Sequence, residues 1–323
     1  MIQTEFISIF SARFSDYLAF RQLGGIEPKS QHQLLSYFDR FVHQQGFQKP
    51  WPSRELIEQY LASNHHLQPG TRTNRLSVVR QFCRYFYQFE PQCYVPEPSM
   101  MHQIRPMRVA HIYTHAEIQA IVQAAWQLPP PGSLRPHTFA TLFGLLYTTG
   151  LRCGEAFGLN LSDVDLEQNR LFITQGKFGK SRWVPISSST AGALRRYRHE
   201  RLRIAPSLPD SPFFIIPTGH RLYHTNVNHA FRRVLKHCGL RGGKGCPGPR
   251  LHHLRHTFAC TRLLLWYRED KDINALLPAL ATYLGHININ STQVYLRATT
   301  ALLEQANHRF AAHFRHNILP SGD

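Results

Sequence analysis

Two stretches of this chain carry side chains that could act together on a phosphodiester. One runs from Arg250 to Tyr295: it holds His252, His253, Arg255 and His256 close together, then Leu284-Gly285-His286, and nine residues later Tyr295. The other lies about a hundred residues upstream, in Tyr147-Thr148-Thr149-Gly150-Leu151-Arg152-Cys153-Gly154-Glu155. A guanidinium grips phosphate oxygens with a two-pronged fork, an imidazole moves or donates a proton, and a phenol can attack phosphorus. Chemistry of that kind needs rigid supports. The apolar pattern after Arg255 (Phe258, Ala259, Leu263) predicts that His252 and Arg255, three apart, share one helix face. Upstream, the apolar run from His137 to Thr148 predicts a helix closed by Gly150 in a left-handed cap, with Arg152 just past its end.

Arg152, a hairpin Lys, His252-x-x-Arg255, Leu-Gly-His286 and Tyr295, in that order, resemble the catalytic set of the tyrosine recombinases of the phage-integrase family. Each fragment alone recurs by chance, so the resemblance rests on their order and spacing. It is close over about residues 111–310 and loose before them. The fold it implies is mainly α with a small β-hairpin (α+β). An all-helical core-binding domain would occupy residues 1–95, a linker 96–110, and the catalytic domain with a C-terminal helix 111–323. In the family, the two domains form a C-shaped clamp around duplex DNA.

The resemblance also implies roles. Arg152 and Arg255 would hold the non-bridging phosphate oxygens, His252 would serve as base or donor toward Tyr295, and His286 would hydrogen-bond the phosphate. Tyr295 is favoured as nucleophile over Tyr283 and Tyr267 by its nine-residue step from His286, and Tyr283 is expected to pack in a helix. Lys177 is chosen by motif as the general acid that protonates the departing 5′ oxygen, with Lys180 the alternative; either could also be a solvated turn residue. Glu155 matches the acidic position of an Arg-x-x-Glu pattern and would orient Arg152. The wording around Leu277 to His286 resembles recombinases carried by bacterial transposons.

The positioning elements can be read in outline. Residues 1–90 read as about four polar helices with aromatic anchors (Phe14, Tyr17, Phe20, Tyr37, Phe38, Phe41), punctuated by Pro28, Pro50, Pro52 and Pro69-Gly70. The last of them, from Thr71, buries Leu76, Val79, Cys83 and Phe86 at helical spacing. It also carries Arg72, Arg75, Arg80 and Arg84, which form either a solvated basic face or a face laid along DNA phosphates. Pro91, Pro96, Pro98 and Pro106 mark the linker, and Thr114-x-x-Glu117 is a capping box opening a helix to about Trp126. Arg170–Thr174 and Arg182–Ile186 are β-type runs around a Gly-containing turn, with Asp163 and Asp165 as turn and cap residues before them. Residues 191–203 and 225–238 read as helices, 241–249 as a basic loop, and 302–314 as a terminal amphipathic helix.

Composition narrows the class. The 37 Lys and Arg against 20 Asp and Glu give a net charge of +17 in 323 residues, which reads either as a generally basic surface or as the electrostatic footprint of a nucleic-acid partner. Six scattered Cys without a Cys-x-x-Cys pair read as reduced thiols, and no standard zinc spacing occurs. No signal-like start and no apolar run near the roughly 18 residues of a membrane span are present, so the expected location is cytoplasmic, bacterial and nucleoid-associated, with no membrane partner. There is no Gly-x-x-x-x-Gly-Lys-Ser/Thr loop, no carboxylate cluster for a two-metal site, and no His-hydrophobic-His triplet. What the family resemblance implies, and the composition allows, is strand exchange on duplex DNA with no cofactor, by a homotetramer or a hetero-assembly with related recombinases on two DNA sites. A type IB-like topoisomerase and a catalytically silent DNA-binding relative are the alternatives.

Overall fold

Aromatic spacing builds the first part of the chain. The computed structural model describes residues 5–25, 29–101, 110–174, 181–205, 208–241, 248–286, 288–297 and residue 304, and the chain divides into two units, Met1–Arg108 and Val109–Asp323. In the first unit lie helices α1 (Ser11–Leu23), α2 (Lys29–Gln44), α3 (Arg54–Ser63) and α4 (Pro69–Phe86). Phe10, Phe14, Phe38 and Phe82 are buried at its centre, with the Phe14 and Phe82 ring centroids 4.4 Å apart. Ser53 caps α3 by accepting from the Leu56 N–H. Pro69, read above as a break, instead opens α4 at a position where a helix needs no N–H. Phe20 corrects another expectation: it is 54% exposed, because Phe14, Tyr17 and Leu18 already fill the inner face of α1. Leu76, Val79, Cys83 and Phe86 are buried as their spacing requires.

The second unit is built around α6 (Leu134–Thr149), which is apolar on nearly all sides and buries residues around its whole circumference. Against it pack α5 (His115–Trp126), α8 (Ser188–Leu202) and α10 (His253–Arg268). The capping box forms, with Thr114 accepting from Glu117 N–H and Glu117 accepting from Thr114 N–H. The short helix α7 (Cys153–Gly158) leads to an antiparallel sheet of β1 (Val164–Asp165), β2 (Arg170–Ile173) and β3 (Arg182–Pro185), in that order. Leu171 pairs with Val184 and Ile173 with Arg182. The runs expected as a hairpin are β2 and β3, and β1 adds a third strand that is too short to show a period in the sequence. Asp163 accepts from Asn160 N–H and Asp165 from Gln168 N–H, as turn and cap residues do.

Helices α9 (His224–His237), α11 (Ile273–Leu284) and α12 (Asn290–Gln293) follow in chain order, and a 3-10 turn, Val294–Arg297, carries Tyr295. Among the described residues no helix is long and apolar enough to cross a membrane. Lys177 and Lys180, most of the 241–249 loop, and all but residue 304 of the helix expected over 302–314 lie outside the described residues.

Candidate active site

The site forms where two helices end. Helix α6 closes on Gly150 (φ 61°) and α11 on Gly285 (φ 67°), both left-handed. The last carbonyls of a helix lack partners along their own backbone and carry the negative end of its dipole. Arg255, in the first turn of α10 and 2% exposed, ties both ends together. Its Nη1 donates to Gly150 O and its Nη2 to Leu284 O, each at 2.8 Å. Arg152 donates through Nη2 to Gly285 O at 2.8 Å. Neither glycine has open space for a side chain here. A Cβ on Gly150 would overlap the Phe258 ring, and one on Gly285 would stand 2.6 Å from Arg182 Nη1 and 3.3 Å from Arg152 Nη1.

Tyr295 is 4% exposed. Its ring lies 5.2 Å from that of His256, edge to face, and 6.0 Å from that of His286, nearly parallel. Its hydroxyl is near enough to the Arg255 guanidinium for the two charges to interact. His256 in turn packs edge-on against His252, 5.1 Å away between ring centres. The structure thus brings Arg152, His252, Arg255, His286 and Tyr295 into one neighbourhood.

The protonation of His286 follows from its neighbours. Arg255 Nη2, which can only donate, approaches His286 Nε2 at 2.9 Å. Nε2 therefore accepts, the ring proton sits on Nδ1, and Nδ1–H donates to Thr292 Oγ1 at 2.7 Å. Burial first, then the charges of Arg255 and Arg152, hold His286 down to about 4, so it is neutral near pH 7. His252, at the start of α10, is also pushed down to about 4. The residue as a whole is exposed, yet the protein packed around its ring is the largest cause, followed by His256 and Arg255. Neutral imidazoles are what a proton acceptor requires.

Glu155 accepts from the Arg152 N–H at 3.0 Å and from Arg152 Nη1 at 2.8 Å. It also takes a two-pronged grip from Arg182, at 3.2 and 3.0 Å. Arg182 stood in the sequence only as the first residue of a β-run. Its other edge, Nε, donates to Tyr283 O at 2.8 Å. Burial alone pushes the Glu155 carboxyl up, but Arg182, ahead of Arg152, more than offsets it, and the group stays below the ordinary carboxylate range. Tyr283 is packed as expected: its ring stacks on Phe258 at 5.6 Å, its hydroxyl donates to Pro185 O, and burial pushes it up to about 12.

The four α4 arginines belong to the first unit. Arg84 is exposed, whereas Arg72, Arg75 and Arg80 are half-buried. Arg75 lies 3.8 Å over the Tyr37 ring and donates to Asn64 Oδ1, so much of its bonding capacity is used inside the fold. Arg72 Nε and Arg80 Nη1 are buried with no partner among the described residues. Among the described residues no His, Cys, Asp and Glu gather in a group able to hold a metal ion.

Comparison with known proteins adds an independent line. The model of the Phage integrase family matches residues 112–301. The integrase/recombinase y4rB of Sinorhizobium fredii is 35% identical over 308 residues, covering 94% of this chain and 97% of its own. The tyrosine recombinase XerC of Alcanivorax borkumensis is 29% identical over 251 residues, 76% of each chain. Among solved structures, the Tn1549 transposon integrase in complex with transposon right end DNA shares the fold with a TM-score of 0.65 and 17% identity. That match covers 94% of this chain and 100% of the other.

Proposed function

Because this chain belongs to the phage integrase family, with the fold and enzyme class of a tyrosine recombinase, we propose that it cuts and rejoins duplex DNA at specific sites through a 3′-phosphotyrosyl link on Tyr295. The observation that carries this reading is the buried phenol of Tyr295 lying against Arg255, in a pocket shared with His256 and His286. A phenol with an ordinary value near 10 needs a proton acceptor and a cation before it can attack phosphorus. Neutral His252 takes the proton. Arg255 and Arg152 hold the non-bridging oxygens and the charge that grows on them. Once a phosphate oxygen displaces Arg255 from His286 Nε2, that nitrogen takes up a proton and donates a hydrogen bond to the phosphate.

The Tyr295 oxygen bonds to phosphorus, the bond from phosphorus to the 5′ oxygen breaks, and that oxygen leaves as a hydroxyl after receiving a proton from Lys177 or Lys180. The phosphodiester energy is kept in the new link, and a 5′-hydroxyl from another strand reverses the step.

Each chain supplies one Tyr295 and so cuts one strand. Exchange between two duplexes breaks four strands, which requires four protomers on two sites, as a homotetramer or with related recombinases. Arg72, Arg75, Arg80 and Arg84 along α4 would contact the DNA backbone. Similarity along nearly the whole length of y4rB supports a role in integration or transposition of a mobile element. The work would be done in the bacterial cytoplasm, at the nucleoid.

Nicked suicide duplexes carrying candidate sites test the reading. Wild type should form covalent adducts and joined recombinants, and Tyr295→Phe should form neither. Relaxation of any supercoiled plasmid without a site would instead mark a topoisomerase, and the absence of adducts on every duplex a silent DNA-binding protein.

A further inference from the structure

We propose that Arg182 is a positioning residue for strand cleavage: from β3 it fixes Glu155, which in turn fixes Arg152 and leaves that guanidinium's charge for the scissile phosphate. The proposal rests on the phosphate-holding role given to Arg152 above.

The geometry divides the labour. Each Glu155 oxygen accepts one bond from Arg152 and one from Arg182: Oε1 from both Nη1 atoms, Oε2 from the Arg152 N–H and Arg182 Nη2. With Nε on Tyr283 O, all three nitrogens of Arg182 are occupied within the protein. Its side chain is 13% exposed, against 25% for Arg152 and 7% for Glu155. Arg152 uses only part of its donors on Glu155 and Gly285 O, and its Nε has no bond among the described residues.

Charge explains why a second arginine is needed. Glu155 holds Arg152 in place, but a carboxylate at 2.8 Å also cancels the positive charge that a phosphate must meet. Adding Arg182 returns the cluster to a net single positive charge without loosening Glu155. The missing Cβ of Gly285 gives the Arg182 guanidinium its space, which ties the Leu-Gly-His segment to β3.

The test uses the full chain on the suicide duplexes, with melting curves and DNA affinity measured alongside. Without a wild-type adduct, the functional reading falls and this inference with it. Given an adduct, Arg182→Gln should slow cleavage of bound DNA about 10- to 100-fold, the loss expected for one charge-assisted hydrogen bond, with affinity within about threefold of wild type. Adding Glu155→Gln should cost little more, because both changes break one chain of contacts. On a duplex with a methylphosphonate at the cut, which lacks the non-bridging charge, the Arg182→Gln deficit should shrink to within about threefold. Should Arg182→Gln fail to fold, Arg182→Lys keeps a cation beside Glu155 without the fork and should fall between the two. Cleavage by either variant at the wild-type rate, parallel loss of binding and cleavage, or an undiminished deficit on methylphosphonate each overturns the proposal.

Discussion

Replacing Gly285 with Ala tests the crowded junction between α11 and the arginines more sharply than removing a charge. The backbone there has φ 67°, a conformation that costs an L-residue with a Cβ about 1–2 kcal/mol. The new methyl would stand 2.6 Å from Arg182 Nη1 and 2.8 Å from its Cζ. A guanidinium at the end of a flexible side chain can move aside, but this one is held by Glu155 and by Tyr283 O. Moving it gives up at least one charge-assisted bond, about 1.5–3 kcal/mol. Backbone strain alone should lower the Tm by roughly 2–8 °C for a unit of this size. If the displaced guanidinium lets Glu155 and Arg152 drift, cleavage of bound DNA should slow by about 10- to 150-fold, at a factor of ten per 1.36 kcal/mol. Differential scanning calorimetry and single-turnover cleavage of saturated suicide duplex measure the two separately. In an Arg182→Gln background the cleavage penalty should largely vanish while the strain penalty in Tm persists. A Gly285→Ala protein that melts lower yet cleaves at the wild-type rate refutes the link between this contact and catalysis.

Acid should weaken the fold through its histidines. His252, His253 and His286 are held at about 4, chiefly by burial and then by neighbouring cations, against an ordinary 6.5. Below pH 6.5 the unfolded chain takes up protons that the folded chain refuses, so stability falls as pH drops from about 6.5 toward about 4. A Tm that is flat or rising between pH 7.5 and pH 5 contradicts this. Thr292→Val should leave His286 Nδ1–H buried without an acceptor, since Thr292 is fully buried and takes that proton at 2.7 Å. The expected loss is about 1–3 kcal/mol in stability, with the imidazole nitrogen NMR signals of His286 no longer reporting a single Nδ1–H tautomer. Unchanged nitrogen shifts would reassign the proton.

What was legible in the sequence was local. The Thr114–Glu117 capping box, the cap at Gly150 and the α4 stripe are set by residues within about three turns of one another. The catalytic candidates were legible because their types and order are unusual together. Arg182 was not: its partner Glu155 lies 27 residues earlier and its Tyr283 contact 101 residues later, with nothing local to distinguish it from any strand arginine. Phe20 is the opposite case: aromatic type alone does not fix a helix face, and Phe20 lies off the face of α1 that buries Phe14, Tyr17 and Leu18. His256 was visible beside Arg255, but its place between His252 and Tyr295 depends on where the turn at Val294–Arg297 returns to α10.

The electrostatics of the site explain why it should favour phosphate over other ligands. Arg152 and Arg182 share one carboxylate, and Arg255 is nearly fully buried with helix-end carbonyls and His286 as its hydrogen-bond partners and Tyr295 close by. Burial, set against the favourable influence of Tyr295 and followed by repulsion from Arg152, lowers the Arg255 guanidinium from its usual value. Without DNA, the site therefore stores unfavourable positive charge that the two helix ends only partly offset. An incoming phosphodiester brings negative charge to donors already fixed in place, so it relieves repulsion without first having to order the side chains. A ligand that binds only the folded state raises stability in proportion to the logarithm of its concentration over its Kd. Melting should therefore shift upward with short duplex DNA and less so at high salt, and most of that shift should disappear in an Arg152→Gln/Arg255→Gln double variant only if these two cations, and not the basic surface as a whole, are where the repulsion is stored.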